Sequence, residues 1–308
     1  KKTLIASAVA ATLSSGAFAM DNSHAEKLLG MFDTMPKISG DIEIFGQYTD
    51  TGTNTGSTND GIMDDVDSTV AIDHSTAISE ETTAYVHVEL NYNATVNGSG
   101  FSSDESYLGF KGGFGDISFG TDDSVYESVD IVDYSENLGG VASGDLLGAN
   151  ESQTINYTTP TIGGNMTASA SIQTDEDQDN IGAIVIAYAE GDVTFNFGYG
   201  MNDVAEDVLG LSGSYTMDDL TLSAQFETQD ESGDYMGLLA SYAMGANTLN
   251  FGFMNFGPET GDDTTGITGS VVHSLADNVY VYVEALLQSS DTDANEMDQF
   301  NVGMAYSF

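Results

Sequence analysis

The feature that restricts this chain most is a side-chain period of two that runs from residue 38 to residue 308. Residues 84–93 show it cleanly: Ala84, Val86, Val88, Leu90 and Tyr92 alternate with Tyr85, His87, Glu89, Asn91 and Asn93. The last stretch sets Phe300, Val302, Met304, Tyr306 and Phe308 against Gln299, Asn301, Gly303, Ala305 and Ser307. Alternation of this kind gives an extended strand one apolar and one polar face. Sixteen such strands are predicted, near 38–49, 68–79, 82–93, 104–112, 115–121, 152–159, 165–173 and 180–189, then 193–200, 207–216, 220–228, 234–244, 248–255, 265–274, 279–288 and 298–308.

The connections between them alternate in length. Short turns fall at Gly112–Phe114, Thr161–Gly164, Glu190–Asp192, Asp218–Asp219, Gly245–Asn247 and Ala276–Asn278. Longer polar segments fall at 50–67, 94–103, 122–151, 174–179, 201–206, 229–233, 256–264 and 289–297. Tight turns at one end and long polar loops at the other describe hairpins threaded through a membrane. A tilted strand crosses the hydrocarbon layer in about 9–11 residues, which matches these lengths. No stretch approaches 18 consecutive apolar residues, so no membrane-spanning helix is expected. In lipid every backbone polar group must be paired, which forces a sheet to close. The prediction is an all-β chain, a 16-stranded antiparallel transmembrane β-barrel, wide enough to hold water.

The N-terminus reads as an export signal. Lys1 and Lys2 precede a short apolar stretch, Leu4 to Leu13, and Ala17-Phe18-Ala19 is an A-x-A site placing cleavage after residue 19. Residues 20–37 form an extension outside the strand pattern. There Ser23-His24-Ala25-Glu26 reads as a capping box, followed by Leu28, Leu29, Met31 and Phe32 and stopped by Pro36, so a short amphipathic helix is expected. The barrel then spans 38–308.

Charge narrows the function. The chain carries 49 acidic residues against 5 lysines and no arginine, a net of −44; cleavage after residue 19 leaves three lysines, Lys27, Lys37 and Lys111, and a net of −46. Nothing here neutralises phosphates, which excludes nucleic-acid binding. Cysteine is absent, which removes disulfides, thiolate nucleophiles and thiolate metal sites. The four histidines, His24, His74, His87 and His273, are scattered. His87 shares a face with Glu89, but no serine is placed beside it, so no catalytic residue and no enzymatic activity is assigned. No cofactor or fixed metal site is expected. The acidic runs at 64–67, 175–179 and 259–263 allow only weak, diffuse calcium or magnesium binding, and none has EF-hand spacing.

Two motifs resemble a known family. The final strand, ending Val302, Met304, Tyr306 and Phe308 at alternate positions, resembles the C-terminal assembly signal of Gram-negative outer-membrane proteins. The stretch Ser106-Tyr107-Leu108-Gly109-Phe110-Lys111-Gly112-Gly113-Phe114-Gly115-Asp116-Ile117-Ser118-Phe119-Gly120 is similar to the fourth and fifth strands of general diffusion porins, where it precedes the long third loop. The resemblance implies a homotrimer of barrels in the outer membrane, each with the third loop, here 122–151, folded inward to narrow the channel. It also implies contact with outer-membrane lipid and lipopolysaccharide, and delivery to the barrel-assembly machinery through the last strand.

The expected constriction is acidic. The third loop carries Asp122, Asp123, Glu127, Asp130, Asp133, Glu136 and Asp145 and no positive charge. General porins set a basic cluster on the wall opposite, and this chain departs from that pattern. Residues of lumen parity are Glu43, Asp73, Tyr85, His87, Glu89, Tyr107, Lys111 and Glu284, of which only Lys111 is basic, and it lies close to a turn. A pore of one sign concentrates cations and repels anions. The expectation is passive diffusion of ions and small hydrophilic solutes with cation preference. Two alternatives stand beside it. One is an oligosaccharide-specific channel using Phe45, Tyr85 and Tyr107 as an aromatic track; the other is a secreted acidic β-rich surface protein.

Overall fold

The computed structural model describes residues 35–51, 63–65, 68–98, 100–132, 135, 138, 146–148, 152–174, 180–203, 206–290 and 296–308. Sixteen strands occupy them: β1 Lys37–Thr51, β2 Thr69–Ala77, β3 Thr82–Asn91, β4 Ser102–Gly112, β5 Gly115–Asp122, β6 Ser152–Thr158, β7 Met166–Thr174 and β8 Ile181–Glu190. The second half comprises β9 Val193–Asn202, β10 Val208–Met217, β11 Leu220–Gln229, β12 Gly233–Met244, β13 Asn247–Pro258, β14 Thr264–Ala276, β15 Val279–Ser290 and β16 Met297–Ser307. Each pairs antiparallel with its neighbours in sequence, and β1 pairs with β16 from Asp41↔Ser307 to Thr51↔Met297, closing the barrel. Phe308 completes the seam, its N–H donating to the Gly40 carbonyl at 2.9 Å. Closure removes the free edge that lipid would not tolerate.

Alternation decides which face meets lipid. Leu108 is 51% exposed, and Ile155, Ile172, Leu238, Phe251, Leu287, Val302 and Met304 are exposed with it. Apolar groups in these numbers on the outside are stable only in hydrocarbon. The opposite parity buries Ser118, Thr154, Ser171, Gln173, Ser212, Gln225, Glu227, Ser270, Glu284 and Asn301. Among the described residues no helix is long and apolar enough to cross a membrane.

The expected turns are present with small adjustments. Asp218, at φ 50°, and Gly245, at φ 63°, provide the left-handed residue that two-residue hairpins need. The β2–β3 connection, 78–81, is also short, whereas the expected Thr161–Gly164 turn is a longer link over 159–165 that carries its own bridge, Ile162↔Met166. Asp122 is the last residue of β5 rather than a loop residue. The signal and the extension to residue 34 lie outside the described residues.

The third loop contains an element the alternation pattern does not show, a short 3-10 helix at Val125–Val129. Ser124 caps it, accepting from the Tyr126 N–H at 3.3 Å. Its apolar side packs on the wall: Tyr126, Val129 and Leu147 cluster with Ala183, Val185 and Val208, all of lumen parity. A second cluster joins Val132 and Leu138 to Tyr235, Met254 and Leu286. The wall gives way to receive the segment. A Cβ on Gly210 would lie 2.5 Å from the Tyr126 hydroxyl and 2.7 Å from Val129, so no larger residue fits beneath it.

Candidate functional site

The candidate site is the inner wall of β1–β5 together with the start of the third loop. On β2–β4, His87 is the hub. Its Nδ1 lies 2.8 Å from Asp73 Oδ1, and its Nε2 lies 3.5 Å from Glu105 and 3.7 Å from Glu89. The imidazole stacks on Tyr107 at a ring separation of 5.1 Å, and Tyr107 meets Tyr85 edge-on at 6.4 Å. Glu105 was not singled out from sequence, although its parity with Tyr107 marks it as inward. It lies two residues from Tyr107, the register partner of His87, next to a register irregularity between Val88 and Leu90.

Toward the short-turn end, Lys111 pairs in register with Asp116 and Thr83. Its ammonium stands 5.6 Å from the centre of the Tyr85 ring, a cation–π contact. The Tyr85 hydroxyl donates to Asp116. Lys111 is one residue from the end of β4, so this cation sits at the rim. Asp116, also missed from sequence, shares parity with Ser118. Between this wall and the loop lies a cleft of about 470 Å³ lined by Tyr85, Tyr107, Asp116, Asp122, Val125 and Asn156.

The acids expected on the third loop are placed as follows. Asp122 Oδ2 accepts from Ser118 Oγ at 3.0 Å and from Asn156 Nδ2 at 2.8 Å, and its carbonyl accepts from Thr154 Oγ1 at 2.9 Å. Asp123 follows at the start of the loop. Burial holds its carboxyl above the ordinary carboxylate range, with the Asp122 charge adding to the effect and hydrogen bonds with Glu127 and Glu105 opposing it. Glu127 and Asp130 are exposed on the 3-10 turn and after it. Asp133, Glu136 and Asp145 lie outside the described residues.

Two wall acids occupy settings that parity alone does not reveal. Glu43 accepts from the Tyr282 hydroxyl at 2.7 Å, and its own N–H donates to Ser68 Oγ at 3.1 Å. Glu284 has lumen parity but is only 1% exposed, with Asn301 Nδ2 donating to it at 2.9 Å, so it is a buried wall group rather than one open to water. Phe45 is likewise 3% exposed, beneath the Asp64 bridge, which takes it out of an aromatic track. Asp65, read from sequence as part of a diffuse cation-binding run, is 5% exposed, and its carboxylate accepts from Ser68 N–H, Ser68 Oγ and the Ala94 N–H. Its oxygens serve the backbone instead.

The loop is held down by residues on β11 whose sequence shows only their inward parity. Gln225 Oε1 accepts from the Ile131 and Val132 N–H groups at 3.1 and 3.2 Å. Glu227 is 0% exposed; its Oε2 accepts from the Tyr126 hydroxyl and the Leu146 N–H, both at 3.2 Å, and its Oε1 from Gln225 Nε2 at 2.7 Å. Asn196 adds a bond from its Nδ2 to the Ser128 carbonyl at 2.7 Å. The C-terminal residues Val302, Met304, Tyr306 and Phe308 all stand exposed on the outer face.

The arrangement is a closed barrel whose inner face carries carboxylates, amides and hydroxyls. It resembles solved barrels of low sequence identity. The anion-selective porin from Comamonas acidovorans superposes with a TM-score of 0.74 at 16% identity, over 89% of this chain and 99% of that one. The outer-membrane protein OmpT of Vibrio cholerae, in a trimer form, gives 0.69 at 17% identity over 89% and 99%. A doubly substituted mutant of the Rh. blastica porin gives 0.73 at 16% over 89% and 100%. No curated protein matches the chain by sequence. The family model for Gram-negative porins matches residues 6–295, nearly the whole length, and the chain therefore belongs to the Gram-negative porin family, an outer-membrane channel.

Proposed function

We propose that the protein is a passive diffusion channel that prefers cations. The observation that carries this is the sign of the described wall and loop charges. Asp73, Glu89, Glu105, Asp116, Glu43 and Asp122 lie on the wall strands and Asp123, Glu127 and Asp130 on the loop that follows, against only Lys37 and Lys111 near the strand ends among the described residues and no arginine anywhere in the chain. In a water-filled lumen with low-dielectric walls, such a set raises local cation concentration and repels anions. The Comamonas acidovorans relative is named as anion-selective, but at 16% identity the likeness carries the barrel and not its charges.

The third loop narrows the lumen in this reading, since Tyr126, Val129, Val132 and Leu147 pack on wall residues of lumen parity. The same reading gives a homotrimer, as in the trimer form of the Vibrio cholerae protein. It gives a leader cleaved after residue 19, and an outer strand face ending in Phe308 that meets lipid, lipopolysaccharide and the assembly machinery. An oligosaccharide pathway is the second reading, favoured by the contiguous contacts of Tyr85, Tyr107 and His87. Current block by added sugars separates the two.

The direct test is the reversal potential across a planar bilayer under a potassium chloride gradient. The expected sign is that of a cation-permeable pore. A neutral or anion-selective value would remove the proposal while leaving the family assignment intact.

A further inference from the structure

Two tyrosines on the wall repeat one three-strand arrangement. Tyr85 on β3 stands opposite Gly109 on β4, which stands opposite Ser118 on β5. The phenol passes over Gly109 and donates to Asp116, two residues from Ser118 toward the short-turn end. Tyr282 on β15 stands opposite Gly303 on β16, which stands opposite Phe45 on β1. Its phenol passes over Gly303 and donates to Glu43 Oε1, again two residues toward the short-turn end, at 2.7 Å, the stronger of two phenol contacts, Tyr280 reaching Oε2 at 3.5 Å. The sites are far apart in sequence, yet strand direction, register and offset are the same.

The glycines make the crossing physically open. A Cβ on Gly109 would lie 2.3 Å from Tyr85 Cζ, and one on Gly303 would lie 2.2 Å from Tyr282 Cζ. Side chains essentially never approach so closely, so the ring lies across the glycine strand and is fixed there. A phenol can give its one proton to a carboxylate oxygen, and bonds to an ionised acceptor are the stronger kind. Without such a donor, a carboxylate on a wet wall samples several rotamers, and its field is averaged over them.

We infer that Tyr85 and Tyr282 are positioning residues for ion selectivity, each fixing one wall carboxylate, Asp116 or Glu43, in the ion path by reaching over a glycine. This rests on the cation-preferring reading. The other wall acids are held differently: Asp73 meets His87, and Asp122 meets Ser118 and Asn156.

The test is a pair of double-substitution cycles in the full-length channel, Tyr85→Phe with Asp116→Asn and Tyr282→Phe with Glu43→Gln. Phenylalanine keeps the ring over the glycine and removes only the donor. Heat-modifiable migration on gels verifies that each variant is a folded barrel, and reversal potential is the readout. Each Tyr→Phe change is expected to lower the cation-to-anion permeability ratio by about sixfold, since a unit charge in water that retreats from roughly 4 to roughly 8 Å disfavours the cation somewhat more than twofold and readmits the anion by a similar factor. In the Asp116→Asn or Glu43→Gln background the same change is expected to do nothing further. A full additional effect in those backgrounds, or no effect of either Tyr→Phe where the carboxylate changes do act, would overturn the inference. A wild-type channel without cation preference would instead strike down the reading beneath it, before any substitution is compared.

Discussion

Among single residues, Glu227 ties the third loop to the wall. It is fully buried and accepts from Tyr126, Leu146 and Gln225, so three donors converge on one carboxylate. Replacing it by glutamine keeps the volume but turns one acceptor oxygen into a donor, leaving a buried N–H partner facing another donor. The expected loss is about 1–3 kcal/mol of stability, the usual cost of an unsatisfied buried group. Loosening the loop should also raise the open-channel current noise. Unfolding in detergent micelles and single-channel recording check the two effects, and a Glu227→Gln channel as quiet and stable as wild type would show that the loop is held elsewhere. Parity read from sequence places Glu227 on the polar face, between Phe226 and Thr228. It says nothing of Tyr126, because the bond spans 101 residues and depends on where the start of the loop packs on the wall. The same limit explains Glu284 and Phe45, whose parity is right and whose exposure is not.

At the scale of elements, the strands follow from local pattern. The expected 207–216 and 279–288 are β10 Val208–Met217 and β15 Val279–Ser290, displaced by a residue or two. Each strand is legible alone because the two solvents, lipid outside and water inside, act on alternate residues. Leu238, halfway along β12 and exposed to the lipid side, makes the point testable. Leu238→Lys is expected to cost about 2–4 kcal/mol, as for a basic group near the bilayer midplane. Denaturant unfolding from lipid vesicles measures it, and a cost near zero would contradict the outward assignment of β12. The 3-10 turn at Val125–Val129 was not legible. Its apolar residues have no period of their own, and only the glycine-lined wall gives them a partner.

For the whole molecule, charge and closure act together. A lumen of one sign exerts its selectivity through a field that salt screens, with a Debye length of about 10 Å at 0.1 M and about 3 Å at 1 M. The proposed cation preference is therefore expected to weaken markedly between those concentrations at a fixed gradient ratio. Selectivity independent of ionic strength would instead indicate discrimination by size or by contact binding. The sequence by itself determined the strand count, the lipid and lumen faces, the acidic balance and the family resemblance. These depend on residues one or two apart and on totals, which a chain carries before it folds. The tertiary structure alone decided which acids meet water, which are spent on loops and wall bonds, and which tyrosines reach over a glycine to a carboxylate two strands away. Those outcomes depend on register around a closed ring and on loop residues packed against its wall, contacts whose partners lie tens to hundreds of residues apart and leave no local periodicity to read.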